Sequence, residues 1–126
     1  MASPDDDLGF HVLKEPADCI LWREPGRING PTRLFDCLET FEDDSHLKRL
    51  LLKCRECGQL YFYEFYEWID WEEGDDPQYW TYIPVETAAE IEMLKEASPF
   101  DLMRFTPRLQ RDFPNRGKAP RLIWIR

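Results

Sequence analysis

The first third of the chain alternates short apolar pieces with polar ones. Phe10–Leu13 and Cys19–Trp22 are separated by Pro16, and each is too short for its period to decide between helix and strand. Glu24 to Pro31 is rich in Pro, Gly and Asn and predicts a loop. In Leu34–Phe41, three apolar residues fall at helical spacing, but Phe35 and Cys37 lie between them, so the period leaves this piece open. Glu42-Asp43-Asp44-Ser45 reads as a solvated turn. Leu47–Lys53 contains Leu50-Leu51-Leu52 and reads as a strand because it runs directly into a cysteine turn. That turn, Cys54-Arg55-Glu56-Cys57-Gly58, is predicted to be tight, with Gly58 where an unusual backbone angle is needed. Tyr61, Phe62, Tyr63, Phe65 and Tyr66 then make an abrupt run of strand formers. Glu72 to Pro77 is a turn cluster, and Tyr79–Val85 is a second aromatic and β-branched run, so the two runs predict an antiparallel hairpin. Pro84 cannot donate to a ladder and is expected at a strand end or edge.

Beyond Pro84 the pattern becomes helical. Thr87-Ala88-Ala89-Glu90 is a capping box, in which the hydroxyl and the carboxylate each satisfy an orphan amide of the first turn. Ile91 and Leu94 continue an apolar stripe that should end near Ala97. Ser98-Pro99 places an N-cap before a proline at the first helical position, and Thr106-Pro107 repeats that signal, predicting a further short helical turn. Pro114 to Pro120 reads as a loop and Leu122–Ile125 as a closing strand. The expectation is an α+β fold: a three- or four-stranded antiparallel sheet with the cysteine knuckle at one end. Short helices from Glu86 to Asp112 cover one face, and the last strand joins an edge. The 126 residues fit one domain. Residues 1–9 would be a flexible acidic arm, 37–85 the knuckle and hairpin, and 86–126 the short helices and final strand.

Composition adds a compartment and a charge pattern. Hydrophobic residues at 43% suffice for a core, and no apolar run approaches the ~20 residues that a membrane span needs. Met1 to Asp7 is acidic and lacks the basic and apolar regions of a signal peptide, so the cytoplasm is expected. Cysteines there are reduced, metal-bound or catalytic more often than bridged. The net charge of −9 is uneven. Residues 56–94 hold 11 acids and no Lys or Arg, while residues 95–126 hold 3 acids and 8 Lys or Arg. Either the tail folds back to neutralise the middle, or an acidic face survives and attracts a basic partner.

Cys54 and Cys57 carry the sharpest chemical signal. Zinc is held by thiolates converging in a tetrahedron, and Cys-x-x-Cys lets one turn supply two of them. A four-thiolate site of Cys19, Cys37, Cys54 and Cys57 uses every cysteine in the chain. Substituting His46 for Cys19 gives a second ligand set. Against both stands the plain reading of Cys19 and Cys37 as small buried hydrophobes. Leu51-Leu-Lys-Cys-Arg-Glu-Cys-Gly-Gln-Leu-Tyr61 resembles the second knuckle of zinc-ribbon proteins, over roughly residues 37–85. Asp36-Cys37-Leu38 supplies one cysteine where a ribbon has two. The resemblance implies one structural zinc beside an antiparallel sheet, and no particular activity. A thioredoxin-like redox pair would need a helix after the first cysteine, whereas the residues beyond Gly58 predict a strand.

The hairpin is the second candidate site. Glu64, Glu67, Asp70, Glu72, Glu73, Asp75 and Asp76 interleave with Trp68, Trp71 and Tyr79. Aromatics on both faces of a hairpin leave some exposed beside acids, and exposed Trp and Tyr are typical interface anchors. Glycosidase chemistry needs two carboxylates across a cleft, and the oxygen-ligand spacing of an EF-hand is absent. No phosphate-binding loop, nucleophile elbow or His-Glu-x-x-His motif occurs. The expected function is a non-enzymatic acidic protein-binding module with a structural zinc. Its most concrete form is an immunity- or antitoxin-like inhibitor of a basic protein. The alternative is a zinc-ribbon regulator or adaptor whose basic tail meets nucleic acid or a larger assembly; the acidic knuckle and hairpin have the wrong sign for phosphates.

Overall fold

The computed structural model describes residues 11–69, 71, 72, 74, 76–114 and 119–126. The expected arm at 1–9 lies outside them. Mixed α/β architecture is built on a six-stranded antiparallel sheet. In chain order the elements are β1 (His11–Val12), α1 (Ile20–Arg23), a 3₁₀ turn (Pro25–Asn29), β2 (Phe35–Asp43), β3 (Leu47–Cys54), β4 (Leu60–Glu67) and β5 (Gln78–Val85). Then come α2 (Ala88–Glu96), α3 (Pro99–Leu102), β6 (Phe105–Thr106), β7 (Arg108–Phe113) and β8 (Arg121–Ile125). The sheet order is β2-β3-β4-β5-β7-β8, and β1 pairs separately with β6 in parallel.

Three or four strands were too few, for two reasons. Leu34–Phe41, left open by its period, extends as β2 against β3, with register shifts at Cys37/Glu39 and Thr40/Glu42. Those irregularities scramble the alternation that would mark a strand. The second reason lies after α3. The expected helices reach Leu102, not Asp112; Thr106-Pro107 is a cis peptide between β6 and β7, not a helix start. The strand β7 is polar on one face because its polar residues bond one another. Thr81 Oγ1 donates to Gln110 Oε1 at 3.1 Å, Gln110 Nε2 donates to Asp112 Oδ1 at 2.7 Å, and Arg121 Nε reaches Asp112 Oδ2 at 2.7 Å. Buried polar groups are tolerated when they are paired in this way.

Other expectations hold. The β4–β5 hairpin forms in continuous register from Leu60↔Val85 to Glu67↔Gln78. Pro84 lies past Tyr82↔Leu109, where β7 no longer pairs with β5, so its missing amide breaks no β7 bond. Thr87 and Glu90 complete the capping box of α2, which ends at Ala97, and Ser98 caps α3 with Pro99 behind it. The last strand, β8, occupies a sheet edge.

Strand alternation divides the core between two faces. On the first, Leu52, Cys54, Tyr61, Tyr82 and Leu109 pack under Cys19, Ile20, Leu21 and Leu34. On the second, Leu51, Phe62, Ile83 and Val85 pack under Leu94 of α2, Leu102 of α3 and Phe105. Side chains such as Leu21 and Leu94, wholly removed from solvent, each contribute on the order of 1.5–3 kcal/mol. A buried charged pair crosses the second face. Arg49 Nη2 lies 2.7 Å from Glu64 Oε2, and the same guanidinium donates to the carbonyls of Lys95 and Ala97 at the end of α2.

Candidate metal centre and the aromatic end

The candidate metal centre starts with the turn between β3 and β4. The Gly58 amide donates to Cys54 O at 2.9 Å, and the Cys54 amide donates to Gln59 O at 2.8 Å. Closing so tight a loop puts Gly58 at φ +83°, a region that costs other residues a clash with their own Cβ. Cys54 is buried on the first face and Cys57 is exposed.

The third thiol comes from far away in sequence. Cys19 directly precedes α1, which lies across the first face. Two contacts hold α1 there. Trp124 Nε1 donates to Leu21 O at 2.9 Å, and the Trp22 ring meets Trp124 edge-on at 4.6 Å between centroids. Arg126 covers the Trp22 indole at 4.3 Å. The result is a convergence of Cys19, Cys54 and Cys57, whose sulfurs all lie within 4.8 Å of one another. Three Sγ ligands at about 2.3 Å from one zinc ion sit at such mutual spacings.

Neither remaining candidate joins them. Cys37 is exposed on β2, opposite Leu52, with its thiol directed at Glu39 O (3.6 Å) and Thr40 Oγ1 (3.9 Å). His46 lies at the other end of β3, eight residues from Cys54, a span of about 26 Å for a strand. Its Nδ1 sits 2.9 Å from Glu67 Oε1. His11 stacks on Phe105 at 4.6 Å, on the second face. The four-thiolate set is therefore reduced to three protein ligands, and neither Cys37 nor His46 supplies the fourth.

The three thiols perturb one another's ionisation. Although Cys57 is exposed overall, partial desolvation pushes its thiol up, and the neighbouring Cys19 and Cys54 add to this, reaching about 12. Burial is the largest single influence on Cys54, but the backbone amides of Cys57 and Glu56, together with the Cys57 and Cys19 side chains, outweigh it and its pKa is lowered. Thiolates this close oppose one another's ionisation, an opposition that a positive ion between them would relieve. Beneath the cluster, the Tyr61 hydroxyl is wholly buried and has no hydrogen-bond partner among the described residues. It faces Cys19. Burial, and then the nearby thiols, hold this phenol protonated well above its ordinary range. On the solvent side, Ala17, Asp18, Cys19, Cys57, Gln59 and Glu86 border an open hollow of about 370 Å³.

The acidic hairpin divides differently from its sequence. Glu64 is buried in its pair with Arg49 and presents nothing to a partner. Glu67 accepts from Gln78 Nε2 at 2.9 Å and engages His46, so it is largely consumed within the fold. Hydrogen bonds from Gln78 and His46 hold its carboxyl below the usual range. Tyr79 is half-buried, stacked on Tyr66 at 6.4 Å. Asp70, Glu73 and Asp75 lie outside the described residues. Glu72 and Asp76 are in the turn, with Glu72 exposed. The aromatics fare better as surface candidates. Trp71 is 90% exposed and Trp68 50%. Phe100 of α3, which the sequence pattern did not single out, is 61% exposed and meets Trp68 edge-on at 5.8 Å. Together with Tyr66, Tyr79, Pro99 and Met103, Trp68 and Phe100 line an apolar concavity of about 170 Å³.

Four cations of the tail are engaged away from these acids. Arg108 donates to Met103 O and Phe105 O, Arg111 lies over the Trp80 and Phe113 rings, Arg121 pairs with Asp112, and Arg126 covers Trp22. Among the described residues no helix is long and apolar enough to cross a membrane. No family model matches the chain, and comparison with curated proteins and with solved structures finds no match either.

Proposed function

We propose that this chain is a non-enzymatic protein-binding module whose aromatic, acidic hairpin end engages a basic protein. The observation that carries the reading is the pairing of exposed Trp68 and Phe100 over an apolar concavity, beside a turn containing Glu72 and Asp76. A partner's apolar side chain would enter the concavity, and its Lys and Arg would meet the acidic turn. Such an arrangement speeds encounter through charge and holds the complex through desolvated aromatic anchors. The most concrete form is an immunity- or antitoxin-like inhibitor that occludes the basic active site of an enzyme acting on nucleic acid. The thiol cluster is, in this reading, a structural zinc site like a zinc-ribbon knuckle, holding α1 to the β3–β4 turn. A cytoplasmic setting would keep those thiols reduced. A regulator reaching nucleic acid through the tail has less support, since Arg108, Arg111, Arg121 and Arg126 are already engaged within the fold.

Titration calorimetry of the full chain against a panel of basic nucleases and nuclease toxins, at low and physiological salt, tests the reading. A complex that weakens with salt and is lost in the Trp68→Ala, Phe100→Ala double variant supports it. Absence of a complex with every basic protein in the panel, or a complex indifferent to that double variant, counts against it.

A further inference from the structure

We infer that Cys19, Cys54 and Cys57 form a three-thiolate zinc site whose fourth position opens to the solvent hollow and takes an exchangeable external ligand, with Tyr61 as the buried hydrogen-bond donor to Cys19. This rests on the structural-zinc part of the proposed function and deepens it. Two independent observations carry it. The three sulfurs lie within 4.8 Å of one another, with no fourth Cys, His, Asp or Glu in that cluster among the described residues. A wholly buried tyrosine, whose hydroxyl has no hydrogen-bond partner among the described residues, packs in one core cluster with Cys19 and Cys54. An unsatisfied buried hydroxyl is costly, and a metal-bound thiolate is the acceptor that would relieve it. Donors of this kind orient metal ligands and tune the ion.

The direction of the fourth position follows from burial. Cys19 and Cys54 are buried and Cys57 is exposed, so solvent reaches the ion past Cys57, from the hollow bordered by Asp18 and Glu86. Each of those carboxylates lies in an exposed ion pair, Asp18 with Arg23 at 3.0 Å and Glu86 with Lys14 at 3.3 Å. Zinc with three protein ligands keeps a fourth site for water or another donor. On binding, the three thiol protons leave to solvent and the ion takes the sulfur lone pairs. External ligands of the fitting class are water, a small anion or a soft thiol.

The test uses the full chain, purified reduced and without added metal, and then reconstituted with Co²⁺. One equivalent of zinc is expected in the native protein, retained by Cys37→Ser and lost from Cys19→Ser, Cys54→Ser and Cys57→Ser. In the cobalt form, added 2-mercaptoethanol should shift the ligand-field bands. It should also raise the sulfur-to-metal charge-transfer intensity by about one third, as three thiolates become four. Tyr61→Phe should still bind zinc, about 10–100-fold more weakly in competition with a chelator. A cobalt spectrum unmoved by the thiol would overturn the open position while leaving a closed structural zinc standing. Loss of metal from Cys37→Ser would overturn the ligand set, and unchanged affinity in Tyr61→Phe would remove its role as donor. A native chain that binds neither zinc nor cobalt would sink the zinc reading as well.

Discussion

Arg49 and Glu64 form a buried ion pair, with Nη2 2.7 Å from Oε2, directly beneath the C-terminal carbonyls of α2. The guanidinium thus performs two tasks. It neutralises Glu64, an acid that the hairpin turns inward, and it satisfies carbonyls that a helix end leaves without intrahelical partners. Removing one partner should be much worse than removing both. Arg49→Met strands a buried carboxylate and should cost about 3–5 kcal/mol, whereas the Arg49→Met, Glu64→Leu double variant should recover a large part of that loss. Urea unfolding of the three proteins reads the difference. A double variant no more stable than the single one would show that the helix-end bonds, not the stranded charge, dominate.

Gly58 sets the geometry of the thiol turn through its positive φ of 83°. A Cβ there meets only Lys53 Cε at 3.7 Å, an ordinary contact, so backbone conformation alone makes the site intolerant. Gly58→Ala should lose about 1–2 kcal/mol, and Gly58→Asn less, since asparagine tolerates this region better than other residues. Equal losses in the two variants, measured by denaturant midpoint, would contradict a conformational origin.

Trp71 is the most exposed large apolar residue of the hairpin end. Trp71→Ala should leave stability within about 0.5 kcal/mol of the native chain. If the protein-binding reading holds, Trp68→Ala should weaken the complex by about 2 kcal/mol or more, as an anchor does. Parallel thermal melts and calorimetry separate the two effects.

Glu67 provides a pH dependence with a definite sign. Hydrogen bonds from Gln78 and then His46 lower its carboxyl below the ordinary value of 4.5. A carboxyl depressed in the folded state contributes stability above its unfolded pKa and loses it as pH falls through the folded value. In carbon-detected NMR titration the Glu67 midpoint should therefore lie below 4.5. It should rise towards that value in Gln78→Ala and in His46→Ala. The acid limb of the stability curve should be shallower in Glu67→Gln than in the native chain. A Glu67 midpoint unmoved by both substitutions would show that neither partner sets it.

Much of the local structure was legible because it depends on short-range chemistry. The capping box at Thr87 and Glu90, the Ser98-Pro99 start, the β4–β5 hairpin and the Gly58 angle all follow from neighbours within a few residues. Where a local signal has two solutions, it misled. Thr106-Pro107 has the composition of a helix start, yet it leads into β7. That strand's Arg108, Gln110 and Asp112 are satisfied only by one another and by residues such as Thr81, Met103 and Arg121. Of those partners, Thr81 and Arg121 lie outside any short window of sequence around residue 107.

The candidate site divides along the same line. By itself the sequence determined that Cys54 and Cys57 share one turn between strands, because only two residues separate them and the strand formers beyond Gly58 argue against a helix there. It also determined that an aromatic and acidic hairpin must leave some aromatic surface exposed, because strand alternation sends neighbours to opposite faces. Only the tertiary structure decided which distant residues meet. The packing of Trp22 on Trp124 carries Cys19 to the thiol turn, while β2 pairing leaves Cys37 on the surface and β3 puts a strand's length between His46 and the cluster. The same packing buries Glu64 against Arg49 and brings Phe100 beside Trp68. Sulfur-to-sulfur distances and surface exposure are set by how the elements pack, and that information is spread over the whole chain.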